Sequence, residues 1–187
     1  MQLSMRFFYT KIAETVPGAN LLLAGTMPAF SSSGIVTPGT TVSSDIIYID
    51  LLPYDPRQLP AHASLVTTET RSDLFERCNM IVLPDGADLA AVADLISETF
   101  THYFGWADKI YAAIAENRDL QTIIDLTAPI IDNPIYIADS SFKMLASWGG
   151  EFGEMNPTWR YQQKYRYLPY QVMQNLIDAG EVKRLYD

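Results

Sequence analysis

Cysteine is nearly missing from this chain: of 187 residues, only Cys78 carries a thiol. One thiol excludes an internal disulfide and any zinc site built from several cysteines, and it fits a reducing compartment. Histidine is almost as scarce, with only His62 and His102 present. General-base chemistry, which runs most often through imidazole, therefore has few starting points. Basic charge is short as well: 13 Lys and Arg face 22 Asp and Glu, for a net charge of −9. Such a surface repels phosphate, because nucleic-acid binding relies on Lys and Arg to displace counterions. Autonomous DNA or RNA binding is not expected. Long apolar runs are lacking too. Asn20-Leu-Leu-Leu-Ala-Gly25 and Asp45-Ile-Ile-Tyr-Ile-Asp50 fall far below the roughly 20 residues of a membrane-spanning helix. Met1-Gln-Leu-Ser-Met-Arg-Phe-Phe has neither a sustained apolar segment nor a small-residue cleavage site, so it does not read as a signal peptide. The expectation is an acidic, soluble, cytoplasmic protein with no membrane partner.

What is present is enough apolar material for a core, at 48% of residues, with 19% charged. Phe8, Ile12 and Val16 recur at helical spacing over residues 4–16, and Pro17-Gly18 ends that helix. Leu21-Leu-Leu-Ala24 reads as a short buried strand, and the Ser, Thr, Gly and Pro of residues 26–45 read as a loop. Ile46–Ile49, Ser64–Thr68 and Met80–Leu83 are short apolar runs bounded by Pro, Asp or Gly, which is the pattern of strands. Arg71–Arg77 fits one or two helical turns. Residues 1–86 thus predict a small α/β module on a mixed sheet of about four strands.

Residues 87–131 differ in character. Between Asp88 and Asn117 there is no proline and one glycine, Gly105. Leu89, Val92, Ile96, Thr99, Tyr103, Trp106, Ile110 and Ala113 alternate spacings of three and four, a heptad-like seam. Such a stripe serves either a helix lying on the sheet of its own module or a contact with a second copy of the chain. The length of the run favours a homodimer helix carried by Leu89, Val92, Ile96, Tyr103, Trp106 and Ile110. Residues 87–128 hold seven acidic and two basic side chains, the composition of a solvated outer face. A second helix is expected over Asp119–Ile131.

Residues 132–187 open with arms at Pro134–Ala138 and Phe142–Ser147 around Ser140-Ser141, the signature of a hairpin. Gly149, Gly150 and Gly153 follow as a loop, then helices over Thr158–Tyr165 and Tyr170–Ala179, the latter ended by Gly180. The aromatic and basic side chains of Trp159-Arg-Tyr-Gln-Gln-Lys-Tyr-Arg-Tyr167 suit helix packing of Trp159 with Tyr161 or Tyr165. They also suit a wall for a planar ligand, or a nucleotide-stacking surface. Tyr136, Trp148 and Trp159 are the candidate ligand-binding residues by position.

Nothing in the sequence assembles a catalytic set or a metal site, and no cofactor motif appears. His62 follows Pro60-Ala61 in a connection, and His102 falls on the long helix. Cys78 precedes a buried strand, where cysteine acts as a small apolar side chain. Ser31-Ser-Ser-Gly34 offers backbone N–H groups to an anion without the strand-to-helix context or lysine of a phosphate loop. Asp50 and Asp55 flank turns, where Asp bonds the local backbone.

Leu120-Gln-Thr-Ile-Ile-Asp-Leu-Thr-Ala-Pro-Ile-Ile-Asp-Asn-Pro-Ile-Tyr-Ile-Ala-Asp-Ser-Ser-Phe-Lys-Met-Leu-Ala resembles the entry into the sensory domain of bacterial transcription regulators of the PucR/CdaR type. In that group a helix leads into asparagine-proline, three apolar residues, one variable residue and an aspartate, then a polar turn and second strand, as in PAS and GAF domains. Tyr167-Leu-Pro-Tyr-Gln-Val-Met-Gln-Asn-Leu-Ile-Asp-Ala-Gly-Glu-Val is similar to the segment that follows the hairpin in those regulators. The resemblance implies a partial PAS/GAF-like sensor unit, a possible small-molecule effector, and DNA contact only through a C-terminal helix-turn-helix absent from this chain. The resulting expectation is α/β (α+β): a non-catalytic regulatory fragment that mediates dimerisation. A small enzyme with an unrecognised site and a ligand-free interaction scaffold are the alternatives.

Overall fold

The computed structural model describes residues 1–37, 39–52, 59–69, 74, 76–131, 133–149 and 156–184. Two short strands, β1 (Leu3–Ser4) and β3 (Ala29–Phe30), pair beside the first helix, α1 (Met5–Thr15). Ser4 caps α1 by accepting from the Phe7 N–H at 3.3 Å, which satisfies one of the amides left open at a helix start. Met5, Phe8 and Ile12 are its buried stripe.

The main sheet has the order β2-β7-β6-β5-β4, formed by β2 (Asn20–Leu22), β4 (Ser32–Ile35), β5 (Ile46–Ile49), β6 (Ser64–Thr67) and β7 (Asn79–Val82). β4 through β7 run parallel and β2 runs antiparallel to β7. Successive side chains go to opposite faces. Ile47, Ile49, Val66 and Ile81 join Met5, Phe8, Ile12 and Phe30 on one side. Tyr48, Leu65, Met80 and Val82 join Val36, Leu59, Ala63, Leu74 and Cys78 on the other. Both faces are covered, which is why these strands read as unbroken apolar runs rather than alternating ones.

Strands β3 and β4 fall inside the segment expected to be a loop. β4 is Ser-Ser-Gly-Ile, and Gly34 lies opposite Tyr48. A Cβ at position 34 would come within 3.3 Å of the Tyr48 ring. The tyrosine covers the place where a side chain would stand, so a strand here carries loop-like composition. The short helix expected over Arg71–Arg77 falls mostly outside the described residues.

The long helix, α2 (Leu89–Ala115), is 27 residues without a break. The chain divides into two compact units, Met1–Phe104 and Gly105–Asp187, and α2 contributes residues to both. The long helix is therefore not a separate segment between a module ending at residue 86 and a sensor beginning at 132. Val92, Ile96 and Phe100 complete the α1-side core of the first unit, with Leu89, Ala93, Leu95 and Phe104 packed around them.

In the second unit, α3 (Leu120–Ile131) buries Ile124 and Ala128. It packs on the hairpin of β8 (Ile135–Ala138) and β9 (Met144–Trp148). Asp119 caps α3, accepting from the Thr122 N–H and hydroxyl, each at 2.8 Å. α4 (Pro157–Tyr165), α5 (Tyr170–Asp178) and α6 (Glu181–Arg184) follow. The hairpin, α4 and α5 match their expected places, and α6 is a further short helix beyond Gly180; Gly150 and Gly153 of the expected loop lie outside the described residues.

Candidate functional site

The hairpin turn is organised by one carboxylate. Asp139 Oδ1 accepts from the Ser141 N–H at 2.9 Å, the Ser141 hydroxyl at 2.6 Å and the Lys143 N–H at 3.0 Å. The Ser141 hydroxyl, then the Lys143 amide, hold the Asp139 pKa below its ordinary value, because hydrogen bonds to the charged form favour it. With the turn closed, Phe142 takes a left-handed φ of 62°.

The pleat then decides which aromatic side chains meet. Tyr136 pairs with Ser147, and Ile135 pairs with Trp148, so Tyr136 and Trp148 project from opposite faces. The expected trio Tyr136, Trp148 and Trp159 is not brought together as one wall. Tyr136 and Trp159 do meet, edge to face with ring centroids 6.0 Å apart. The Trp159 indole N–H donates to the Gly149 carbonyl at 2.7 Å, and the residue is 8% exposed. Trp159 is thus a packing residue, while Tyr136 keeps a solvent-exposed flank. Tyr161 and Tyr165 do not join Trp159 in the core. Their rings lie 4.5 Å apart on the exposed side of α4, with Lys164 Nζ 5.1 Å from the Tyr165 centroid.

A residue missed by sequence reasoning locks this arrangement. Arg166 ends α4 at a left-handed φ of 64°, a position where glycine is usual. Its Nε donates to the Met144 carbonyl at 3.1 Å and an Nη to the Leu145 carbonyl at 2.9 Å. The Met144 N–H returns a bond to the Arg166 carbonyl at 2.7 Å, and Lys143 bridges to Tyr167. The outer edge of β9 is thereby closed over its first residues, Met144 and Leu145. The one available signal was an arginine directly before Tyr167-Leu-Pro, where the helix must stop.

The expected dimer residues divide along α2. Val92 and Ile96 are 2% and 0% exposed within the first unit, and Leu89 packs against the same core. Tyr103 sets its ring edge-on to Phe7 at 5.0 Å. Leu89, Val92 and Ile96 are thus taken up by the core of their own unit, whereas Tyr103 meets α1 through Phe7. Trp106 and Ile110 are half-buried, and the Trp106 indole N–H has no hydrogen-bond partner among the described residues. Beyond them, Tyr111 and Ile114 are 69% and 58% exposed.

Groups capable of proton transfer are scattered. His62 occupies a left-handed turn before β6, and His102 is exposed on α2 beside Tyr103. Cys78 is buried with its Sγ 4.0 Å from the Pro60 carbonyl. Ser31 donates to Asp45 at 2.9 Å rather than cradling an anion. Hydrogen bonds from the Ser43 and Ser31 hydroxyls lower the Asp45 pKa. At the carboxyl ends of β5 and β6, Thr67 Oγ1 donates to Asp50 Oδ2 at 2.8 Å and accepts from the Glu69 N–H at 3.0 Å. That joins two strands. Asp55 lies outside the described residues. Among the described residues, no group of three His, Cys, Asp or Glu side chains could hold a metal ion, and no helix is long and apolar enough to cross a membrane. Comparison with protein-family models, curated proteins and solved structures found no match.

Proposed function

We propose that this chain is a non-catalytic regulatory part of a PucR/CdaR-type transcription regulator, acting in the cytoplasm and pairing with a second copy through the later turns of α2. The observation that carries the reading is the division of α2: one unbroken helix whose first half is buried in a sheet core and whose second half presents Tyr111 and Ile114 to solvent. Exposed aromatic and aliphatic side chains at helical spacing are the composition of a helix–helix contact. The segments that resemble the sensory domain support the same reading. They form α3, the hairpin with its Asp139 turn, and α5. A small effector would act by favouring one packing of the second unit over another, which requires different affinity for the two. DNA contact is assigned to a helix-turn-helix outside these residues, in keeping with the net charge of −9.

Light scattering on the chain at high micromolar concentration tests the pairing. A dimer is expected, and the double substitution Tyr111→Asp, Ile114→Asp should disperse it without lowering the melting temperature. A monomeric native chain would sink the proposal. A thermal-shift screen with purines, organic acids and sugars separates a sensor from a ligand-free scaffold, because selective binding to the folded state raises the melting temperature. Turnover on a panel of hydrolase substrates would instead favour the enzyme alternative.

A further inference from the structure

A cavity of about 610 Å³ opens in the first unit where the chain leaves β7 and enters α2. Val16 and Pro17, at the end of α1, form one side. Pro84, Ala91 and Leu95 form the other, and Asp85 and Asp88 are its ionisable lining residues. The place is a favourable one, since ligand crevices of open α/β sheets lie outside the carboxyl ends of the parallel strands. Apolar walls with a small number of polar groups are the usual make-up of a small-molecule site.

From this lining we infer that the cavity binds a small primary amine in its protonated form, with an aromatic or branched aliphatic body. The body lies along Pro17, Pro84 and Leu95, and the ammonium group faces Asp85. The charges decide the sign. A helix start carries about half a positive charge and favours anions, but Asp88 answers it here by accepting from the Ala90 and Ala91 N–H groups at 3.0 and 3.1 Å. Asp85 has no hydrogen bond or ion pair among the described residues, and no basic side chain lines the cavity. One carboxylate is therefore left over beside an apolar wall. The net charge of −9 also raises the local concentration of small cations. Gly86, at φ 82° with open space where a Cβ would stand, keeps the mouth of the cavity clear. This inference goes beyond the regulator reading and stands or falls separately from it.

The test uses three probes of one shape: phenethylamine, 2-phenylethanol and phenylacetate. Each is titrated into the full chain while the amide resonances of Ala87, Ala91 and Leu95 are followed. Phenethylamine should shift them saturably, 2-phenylethanol should bind at least about five-fold more weakly, and phenylacetate should not bind. Asp85→Asn should bring the amine down to the affinity of the alcohol. Ala91→Trp, a change at an exposed helix position, should block both phenethylamine and 2-phenylethanol with the melting temperature retained. The inference is overturned if the amine gives no saturable shift, if phenylacetate binds as well as the amine, or if Ala91→Trp leaves binding unchanged.

Discussion

Gln121 and Ser147 are joined as two neighbouring strands would be. The Gln121 side-chain amide donates to the Ser147 carbonyl at 2.9 Å and accepts from the Ser147 N–H at 3.3 Å. A side chain of α3 thus takes the place of a third strand at the open end of β9. Gln121→Ala would hand both backbone groups to water and remove two bonds, each worth about 1 kcal/mol net. The expected result is a loss of about 1–2 kcal/mol in urea unfolding, with hydrogen-exchange protection lost specifically at the Ser147 amide. Unchanged protection there would show that the pairing does not persist in solution.

The two halves of α2 should respond oppositely to the same change. Ile96 is fully buried, and an unpaired carboxylate in its place is expected to cost about 4 kcal/mol or more. Ile96→Asp should therefore unfold the first unit, read as lost β-sheet signal in circular dichroism. Ile114→Asp sits at an exposed position and should change stability by no more than about 0.5 kcal/mol. Its effect belongs to association, measured by sedimentation.

Ser64 is 1% exposed, and its hydroxyl has no hydrogen-bond partner among the described residues. Burying an unsatisfied hydroxyl costs about 1–3 kcal/mol on protein-derived scales. Ser64→Ala removes that penalty and leaves only a small void. The urea midpoint should rise, by an amount equivalent to about 1 kcal/mol. A fall would mean that the hydroxyl has a bonded water.

Acid should weaken the hairpin turn in a defined window. The hydrogen bonds from Ser141 and Lys143 depress the folded-state pKa of Asp139 below its ordinary value of 3.8. A depressed carboxylate contributes stability that is fully present above its unfolded-state pKa and is lost as pH falls through the folded one. Asp139→Asn should therefore be less stable than the native chain near neutral pH. The difference should shrink as the pH drops below 3.8, followed by urea midpoints across the acid range. A difference that stays constant would remove the turn carboxylate from the explanation. Asp45 and Asp119, depressed by the Ser43 hydroxyl and the Thr122 amide respectively, add to native acid lability in the same direction.

Much of the architecture was legible because buried strands and amphipathic helices leave periodic traces. Ile46–Ile49 matches β5 residue for residue, and the hairpin arms around Ser140-Ser141 fall where β8 and β9 stand. Periodicity does not say which surface an apolar stripe faces. Val92 and Ile96 have the spacing of a seam between copies, yet they lie against α1 and the sheet of their own unit. Face assignment failed in the same way for Trp148, whose side is set by its pairing with Ile135. β4 escaped notice because its packing comes from Tyr48 on the neighbouring strand rather than from its own side chains. The cavity beside Pro84 and Asp85 left no trace either, since its two sides lie far apart in the chain and meet through the pairing of β2 with β7 and the core shared by α1 and α2.

The central sheet also governs how these molecules behave in a crowd. Its outermost strands are Asn20–Leu22 on one flank and Ser32–Ile35 on the other. One is only three residues long, and the other has two serines and a glycine in place of bulky apolar groups. Long, flat, greasy flanks invite a stranger's strand to zip on and start a fibril. Brief and hydrophilic flanks give such growth little to grip.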